Sequence, residues 1–205
     1  MKRVNREKPL HRQTDDTRGR LVAAARDLFL EYGPVHFSLR EVARRVGVSA
    51  PAIYRHFENK EALLSAACAE GFQVFSGYLV RALGESSAGK RLVATTDQYR
   101  RFGLENPLDY RFIFMNAADD AIKARPTGGT AQATTFRFLV DRVSECMAEA
   151  LLAKDDPQKT AVVIWSHVHG LVALRLSGHL GVLDDKEFAR LYRESVDGLI
   201  RGLTS

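Results

Sequence analysis

Between Tyr54 and Lys60 the chain sets a phenol, a guanidinium (Arg55), an imidazole (His56) and an ammonium close together in sequence. All four donate hydrogen bonds to anionic oxygens. Lys60 follows Asn59, a good helix cap, so its ammonium falls at a helix start that already favours anions. Ser38, with the free N–H groups of a helix start behind it, is another candidate phosphate site. Arg40 and Arg55 carry the planar fork that pairs with the O6 and N7 atoms of guanine, and Ser49, Ala50 and Pro51 offer a hydroxyl and small apolar surfaces that suit a thymine methyl. Phosphate contacts position a protein and base contacts choose the sequence. Phosphate or solvent contact fits either arginine equally well, and Ala50, Pro51 and Ala52 are poor in hydrogen-bonding groups, which moves weight onto duplex shape.

Other chemistries find little support. There is no phosphate-binding glycine loop, no G-x-S-x-G and no H-E-x-x-H, and the six histidines follow no ligand spacing. His167 and His169 point to different sides of a helix, which speaks against a metal on that pair. Cys68 and Cys146 form no paired-cysteine motif. No cofactor, no metal and no enzymatic activity are expected.

The elements that hold these residues are helical. Leu21, Ala25, Leu28, Phe29 and Tyr32 form one face of a first helix ending near Gly33-Pro34. Ser38 and Glu41 form a capping box for a short second helix whose inward face is Leu39, Val42, Ala43 and Val46, stopped by Gly47. Ser49 caps a third, with Pro51 in its first turn and Ile53 and Phe57 facing inward, ending by Phe57. Asn59 caps a longer fourth through Leu63, Leu64 and Ala67 toward Phe75. Two short helices joined by Gly47-Val48-Ser49 are the grammar of a helix-turn-helix, in which the second helix enters the major groove. An ordinary helical hairpin has the same grammar.

The segment FSLREVARRVGVSAPAIYRHFENKEALL, from Phe37, resembles the N-terminal domain of the TetR family: the turn, then Tyr54, His56-Phe57, Lys60 and Leu63 in register. The resemblance spans roughly residues 15 to 65. It implies a repressor that binds a palindromic operator on double-stranded DNA as a homodimer, with Tyr54, His56 and Lys60 on the phosphate backbone. It also implies a second domain that binds a small molecule and releases the operator.

In the remainder, breaks at Gly84–Gly89, Asn106-Pro107, Arg125–Gly129, Asp155–Pro157 and Gly181–Asp185 separate helix-length segments, with no alternation at strand spacing. About nine helices and no sheet are expected. WSHVHGLVALRLSGHL resembles the Trp, His-Gly pattern of one TetR subclass, with Trp165, His169 and Gly170 in place. Trp165 and His169 share a helix face that either lines a cavity or packs in the core with Gly170 allowing close approach; both readings stay open. Tyr99, Phe102, Tyr110, Phe114 and Phe136 are further candidates for a pocket holding a small, largely apolar effector, and are equally ordinary as core. A helix from Pro157 to His179, apolar nearly all round, and a last helix with Phe188, Leu191, Tyr192, Val196, Leu199, Ile200 and Leu203 would pair with their copies, Leu176 included; a thick monomeric core competes.

Charge follows the same division. Residues 1–60 carry thirteen Lys/Arg against seven Asp/Glu, and the rest carry seventeen against eighteen. The basic excess is N-terminal, as in a polyanion-binding end on a neutral body. The reading is an all-α chain: a basic tail over 1–14 (Lys2, Arg3, Arg6, Lys8, Arg12), a helix-turn-helix domain over 15–60 and a helical regulatory and dimerisation domain over 61–205, with helix four as connector. Met1–Arg20 lacks the apolar core of a secretory signal, and the uncharged stretch Ala161–Leu174 falls short of the ~18 residues a membrane span needs. A cytoplasmic location and no membrane partner follow as expectations. An RNA- or protein-binding helical module is the alternative, a small helical enzyme a more remote one.

Overall fold

The computed structural model describes residues 10–115 and 131–204, with side chains from Asp16. The loop expected over Arg125–Gly129 and the tail residues Lys2, Arg3, Arg6 and Lys8 lie outside that range. Among the described residues there are nine α-helices and no strand: α1 (Leu10–His36), α2 (Leu39–Val46), α3 (Ala50–Ile53), α4 (Lys60–Val80), α5 (Ala88–Glu105), α6 (Pro107–Tyr110), α7 (Ala131–Ala148), α8 (Pro157–Leu176) and α9 (Asp185–Gly202). A 3₁₀ turn follows α4 and a π-turn, Arg111–Met115, follows α6. Two compact units divide between Cys68 and Ala69.

In the first unit, α1 buries Leu21, Val22, Ala25, Leu28 and Phe29. Tyr32, expected on the same face, is 46% exposed: the stripe drifts outward before Gly33, whose φ of 70° bends the backbone. The helix resumes beyond that kink to His36, past the expected stop. It also begins at Leu10, inside the stretch expected to be tail. Ser38 Oγ accepts from the Glu41 N–H at 3.3 Å. The other half of the capping box is missing, because the Glu41 carboxylate turns to Arg44. Gly47, left-handed at φ 77°, closes α2, and Arg20 donates to the Val46 carbonyl at 2.7 Å, satisfying one of the orphan acceptors at that end. Ser49 stands at the N-cap of α3 in extended conformation but makes no side-chain cap bond. Regular helix ends at Ile53; tight turns carry the chain on, with the His56 and Phe57 N–H groups both donating to Ile53 O. Ile53 and Phe57 are buried, as their spacing requires.

The second unit holds the rest of α4 and α5–α9. One cluster, with Leu92, Leu139, Val140, Val143, Ala161 and Ile164, is joined by the half-buried Trp165, Leu199, Ile200 and Leu203. Asp184 forms a full capping box with Glu187 at the head of α9. Phe188, Tyr192 and Val196, expected on a dimer face, are buried in this chain's own core, where Tyr192 also donates to Thr96 O at 2.7 Å. They have no surface to offer a partner. The apolar side chains that α8 and α9 do expose are Val162, Val163, Leu174 and Leu191. Helix α8 stops at Leu176, three residues short of the expected end.

Among the described residues one helical stretch, Lys60–Gly84, is long and apolar enough to cross a membrane by length and composition; half of its apolar window is buried in the structure.

Candidate nucleic-acid face and internal cavity

On the first unit, Ser38, Arg40, Ser49, Ala50, Pro51, Tyr54 and Arg55 lie at the surface, and His56 and Lys60 are half-buried. The arginines here divide by what they already hold. Arg20 is spent on Val46 O, Arg44 on Glu41 and Arg45 on Glu31 at 2.9 Å. Arg40, Arg55 and Lys60 have no hydrogen-bond or ion-pair partner among the described residues. Arg40 and Arg55, exposed and without a local carboxylate, are left to pair with an external anion. Tyr54 is likewise 57% exposed. Asn59 accepts from the Ala62 N–H at 2.8 Å, so the cap that places Lys60 at the head of α4 is formed.

The second unit carries a cavity of about 430 Å³, within the range of small-molecule sites. Its wall carries six rings, Phe72, Phe75, Tyr99, Phe114, Phe136 and Trp165, with Leu79, Leu139, Ile164 and Val168 between them and Thr95, Thr96, Thr135 and Gln132 as its polar members. The π-turn after α6 brings Phe114 against Phe72 and Phe75, edge-on in both cases, with centroids 5.7 and 5.5 Å apart.

Of the residues expected in a pocket, Tyr99, Phe114, Phe136 and Trp165 line this one. Phe102, Tyr110 and His169 do not. Phe102 is fully buried, packed between Phe75, Tyr78 and Tyr110. Tyr110 is stacked on His169, and its hydroxyl lies 2.8 Å from His169 Nδ1 and 3.1 Å from the Tyr99 hydroxyl. Tyr99 also accepts from the Trp165 indole N–H at 3.3 Å. The pair that shares a helix face is therefore split: Trp165 faces the cavity and His169 anchors the polar network behind it. Burial lowers the His169 pKa, keeping the imidazole neutral, and pushes the Tyr99 and Tyr110 phenols well above their ordinary range. Gly170 does not serve as a close-approach site, since a Cβ there would meet nothing within 4 Å; Gly103 does, with Val172 2.6 Å from where its Cβ would stand.

Phe72, Phe75 and Leu79 are wall residues that the sequence reading misses. They recur at i, i+3 and i+7 of α4, and this periodicity beyond the helix-turn-helix is the signal that points to them. No group of three potential metal ligands occurs among the described residues.

Residues 21–67 match the family model of bacterial regulatory proteins, tetR family, and residues 92–199 match that of the tetracyclin repressor-like C-terminal domain. Among relatives, the class G tetracycline repressor protein of Vibrio anguillarum is 33% identical over 128 residues, 60% of this chain and 55% of that protein. The HTH-type transcriptional activator FasR of Mycolicibacterium smegmatis is 31% identical over 103 residues, 50% of this chain and 47% of that one. The chain thus spans about half the length of these curated relatives. A solved structure of a protein of unknown function from Rhodococcus sp. RHA1 is 27% identical and superposes with a TM-score of 0.75, covering 97% of this chain and all of that one. The TetR family transcriptional regulator PfmR from Thermus thermophilus, 17% identical with a TM-score of 0.69 over 90% and 98% of the two chains, shares the fold.

Proposed function

Because the chain belongs to the TetR family of bacterial regulatory proteins, we propose that it is a cytoplasmic, homodimeric transcriptional repressor that binds a palindromic DNA operator and leaves it when a small, largely apolar molecule occupies the cavity. The observation that carries this reading is the coexistence of uncommitted, exposed cations at the helix-turn-helix with an apolar cavity in the second unit. Arg40, Ser49, Ala50, Pro51 and Arg55 face base edges; Ser38, Tyr54, His56 and Lys60 hold phosphates. Helix α4 is the coupler. It is continuous from Lys60 to Val80 and contributes Phe72, Phe75 and Leu79 to the cavity wall, so a ligand that shifts those rings also shifts the helix that presents Lys60. One named relative is a repressor and another an activator. Repression is the proposal here because release by ligand gives occupancy of the cavity a direct consequence.

The test is salt-dependent binding of the purified chain to its genomic footprint. Lys60→Ala combined with Tyr54→Phe should weaken binding to all sequences alike and lower the salt slope by about 0.9 for each phosphate no longer engaged. Arg55→Ala should cost roughly 1–3 kcal/mol at one base position only. Unaltered affinity and slope in the double variant would remove this face from the interface.

A further inference from the structure

The chemistry of the cavity wall selects among ligands, a step that rests on the cavity being the effector site. Among the described wall residues no side chain is ionic. Its hydroxyl hydrogens are also spent. Thr95 donates to Arg91 O and Thr96 to Val93 O, each at 2.7 Å, and Thr135 donates to Gln132 O at 2.9 Å. The Trp165 N–H goes to Tyr99, and the Tyr99 hydroxyl goes on to Tyr110. What these hydroxyls retain are oxygen lone pairs, which only accept. Gln132, in the first turn of α7, is the one side chain with amide N–H groups among the described wall residues. Burial keeps Tyr99 protonated, so it offers no anion to receive a cation.

A charged ligand would leave its hydration for a wall that replaces none of it. A hydroxyl or N–H finds several acceptors, whereas a bare ether or carbonyl oxygen meets hydroxyl and indole donors already engaged elsewhere and, among the described wall residues, only the Gln132 amide as a further donor. The six rings add edges and faces that reward a flat aromatic guest. We infer that the cavity selects an uncharged, ring-bearing compound whose polar group donates a hydrogen bond, and that it rejects carboxylates and ammonium ions of the same shape.

Four biphenyls of nearly equal size separate these effects: 4-biphenylmethanol, 4-methoxybiphenyl, biphenyl-4-carboxylate and 4-phenylbenzylammonium. Each is titrated calorimetrically into the full chain, with the emission of Trp165, the chain's single tryptophan, as local reporter. Thr135→Phe, checked for folding by circular dichroism, provides a second localisation by filling the cavity. The alcohol should bind and move the emission. The ether should bind about fivefold more weakly, the worth of one neutral hydrogen bond, and each ion ~100-fold more weakly or worse. An ion binding within about tenfold of the alcohol, with the same emission change, would overturn the selectivity while leaving the cavity a ligand site. An ether as tight as the alcohol would overturn the donor preference alone. If none of the four binds, or if binding neither moves Trp165 emission nor weakens in a folded Thr135→Phe, the effector-site reading falls as well.

Discussion

His169 Nδ1 lies within hydrogen-bond reach of two tyrosine hydroxyls but accepts from one of them, and this sets the direction of the whole network. Nδ1 lies 2.8 Å from the Tyr110 hydroxyl and 3.0 Å from that of Tyr99. With the imidazole neutral and its proton on Nε2, an assignment the hydrogen bonds imply, one continuous direction satisfies every member: Trp165 donates to Tyr99, Tyr99 to Tyr110 and Tyr110 to His169. Protonation of Nδ1 would turn the final acceptor into a donor facing the two phenols, while the indole N–H of Trp165, a donor only, still points at Tyr99, so the network loses its single direction. Burial lowers the histidine's pKa in the fold, so the unfolded chain takes up this proton more readily. The stabilisation is complete above the unfolded histidine value of about 6.5 and is lost as pH falls below it, through the depressed folded value. Urea midpoints measured at about pH 7.5 and about 5.5 should therefore fall in acid, and His169→Gln should show a smaller fall. Equal falls in both proteins would clear His169 of the effect.

Two glycines allow close approach, Gly71 of α4 to the π-turn after α6 and Gly103 of α5 to α8. A Cβ on Gly71 would stand 2.8 Å from the Ile113 Cγ2 in the π-turn, and one on Gly103 would stand 2.6 Å from Val172 and 3.1 Å from the Tyr110 ring. Neither glycine is needed for its backbone dihedrals; both sit in helices that would run better with alanine. Gly77, also in α4, is exposed and has open space around it. Gly103→Ala should thus destabilise the chain by roughly 1–3 kcal/mol through overpacking against α8 and Tyr110. Gly77→Ala should stabilise it by up to about 1 kcal/mol through helix propensity alone. Chemical denaturation of the two variants gives opposite signs if helix proximity is the reason for Gly103. A stabilised Gly103→Ala would show that the neighbours yield at little cost.

At the scale of the whole molecule, the proposed regulation needs two copies and two ligands. One helix-turn-helix covers a half-site, and an isologous pair presents two in the symmetry of a palindrome. The exposed apolar groups of α8 and α9, Val163, Leu174 and Leu191, are the surface proposed for that pairing, on helices tied together by His167 Nε2 and Ser195 Oγ at 2.9 Å. Leu174→Glu should give a folded monomer in sedimentation velocity and lose cooperative operator binding. Leu199→Glu is a poorer probe, because Leu199 packs against the core cluster and its replacement unfolds what it is meant to split. An intact Leu174→Glu dimer would move the interface off this surface. Between the two ligands, linkage requires reciprocity: whatever factor the effector takes from operator affinity, operator must take from effector affinity, typically 1–3 kcal/mol of coupling.

Features that lie within a few residues of their cause are legible in the sequence. The Ser38 cap on α2, the Asn59 cap on α4 and the left-handed Gly47 depend on contacts three or four residues apart. The burial of Ile53 and Phe57 follows from helical spacing carried one turn on. The all-helical class follows likewise from periodicity, and the family from the Tyr54, His56-Phe57 and Lys60 register. Packing of distant segments chose which of several chemically equivalent rings face empty space. Phe102 and Phe114 are the same residue type on neighbouring helical segments, yet one is sealed in core and the other, rotated by the π-turn, lines the cavity. Tyr110 is drawn out of the expected pocket because His169, fifty-nine residues away, claims its hydroxyl, while Trp165 is held at the cavity by Tyr99, sixty-six residues away. Tyr192 and Phe188 go to this chain's own core for a reason of the same kind: whether an apolar helix face meets its own chain or a copy depends on how the helices cross, and no local pattern carries that angle.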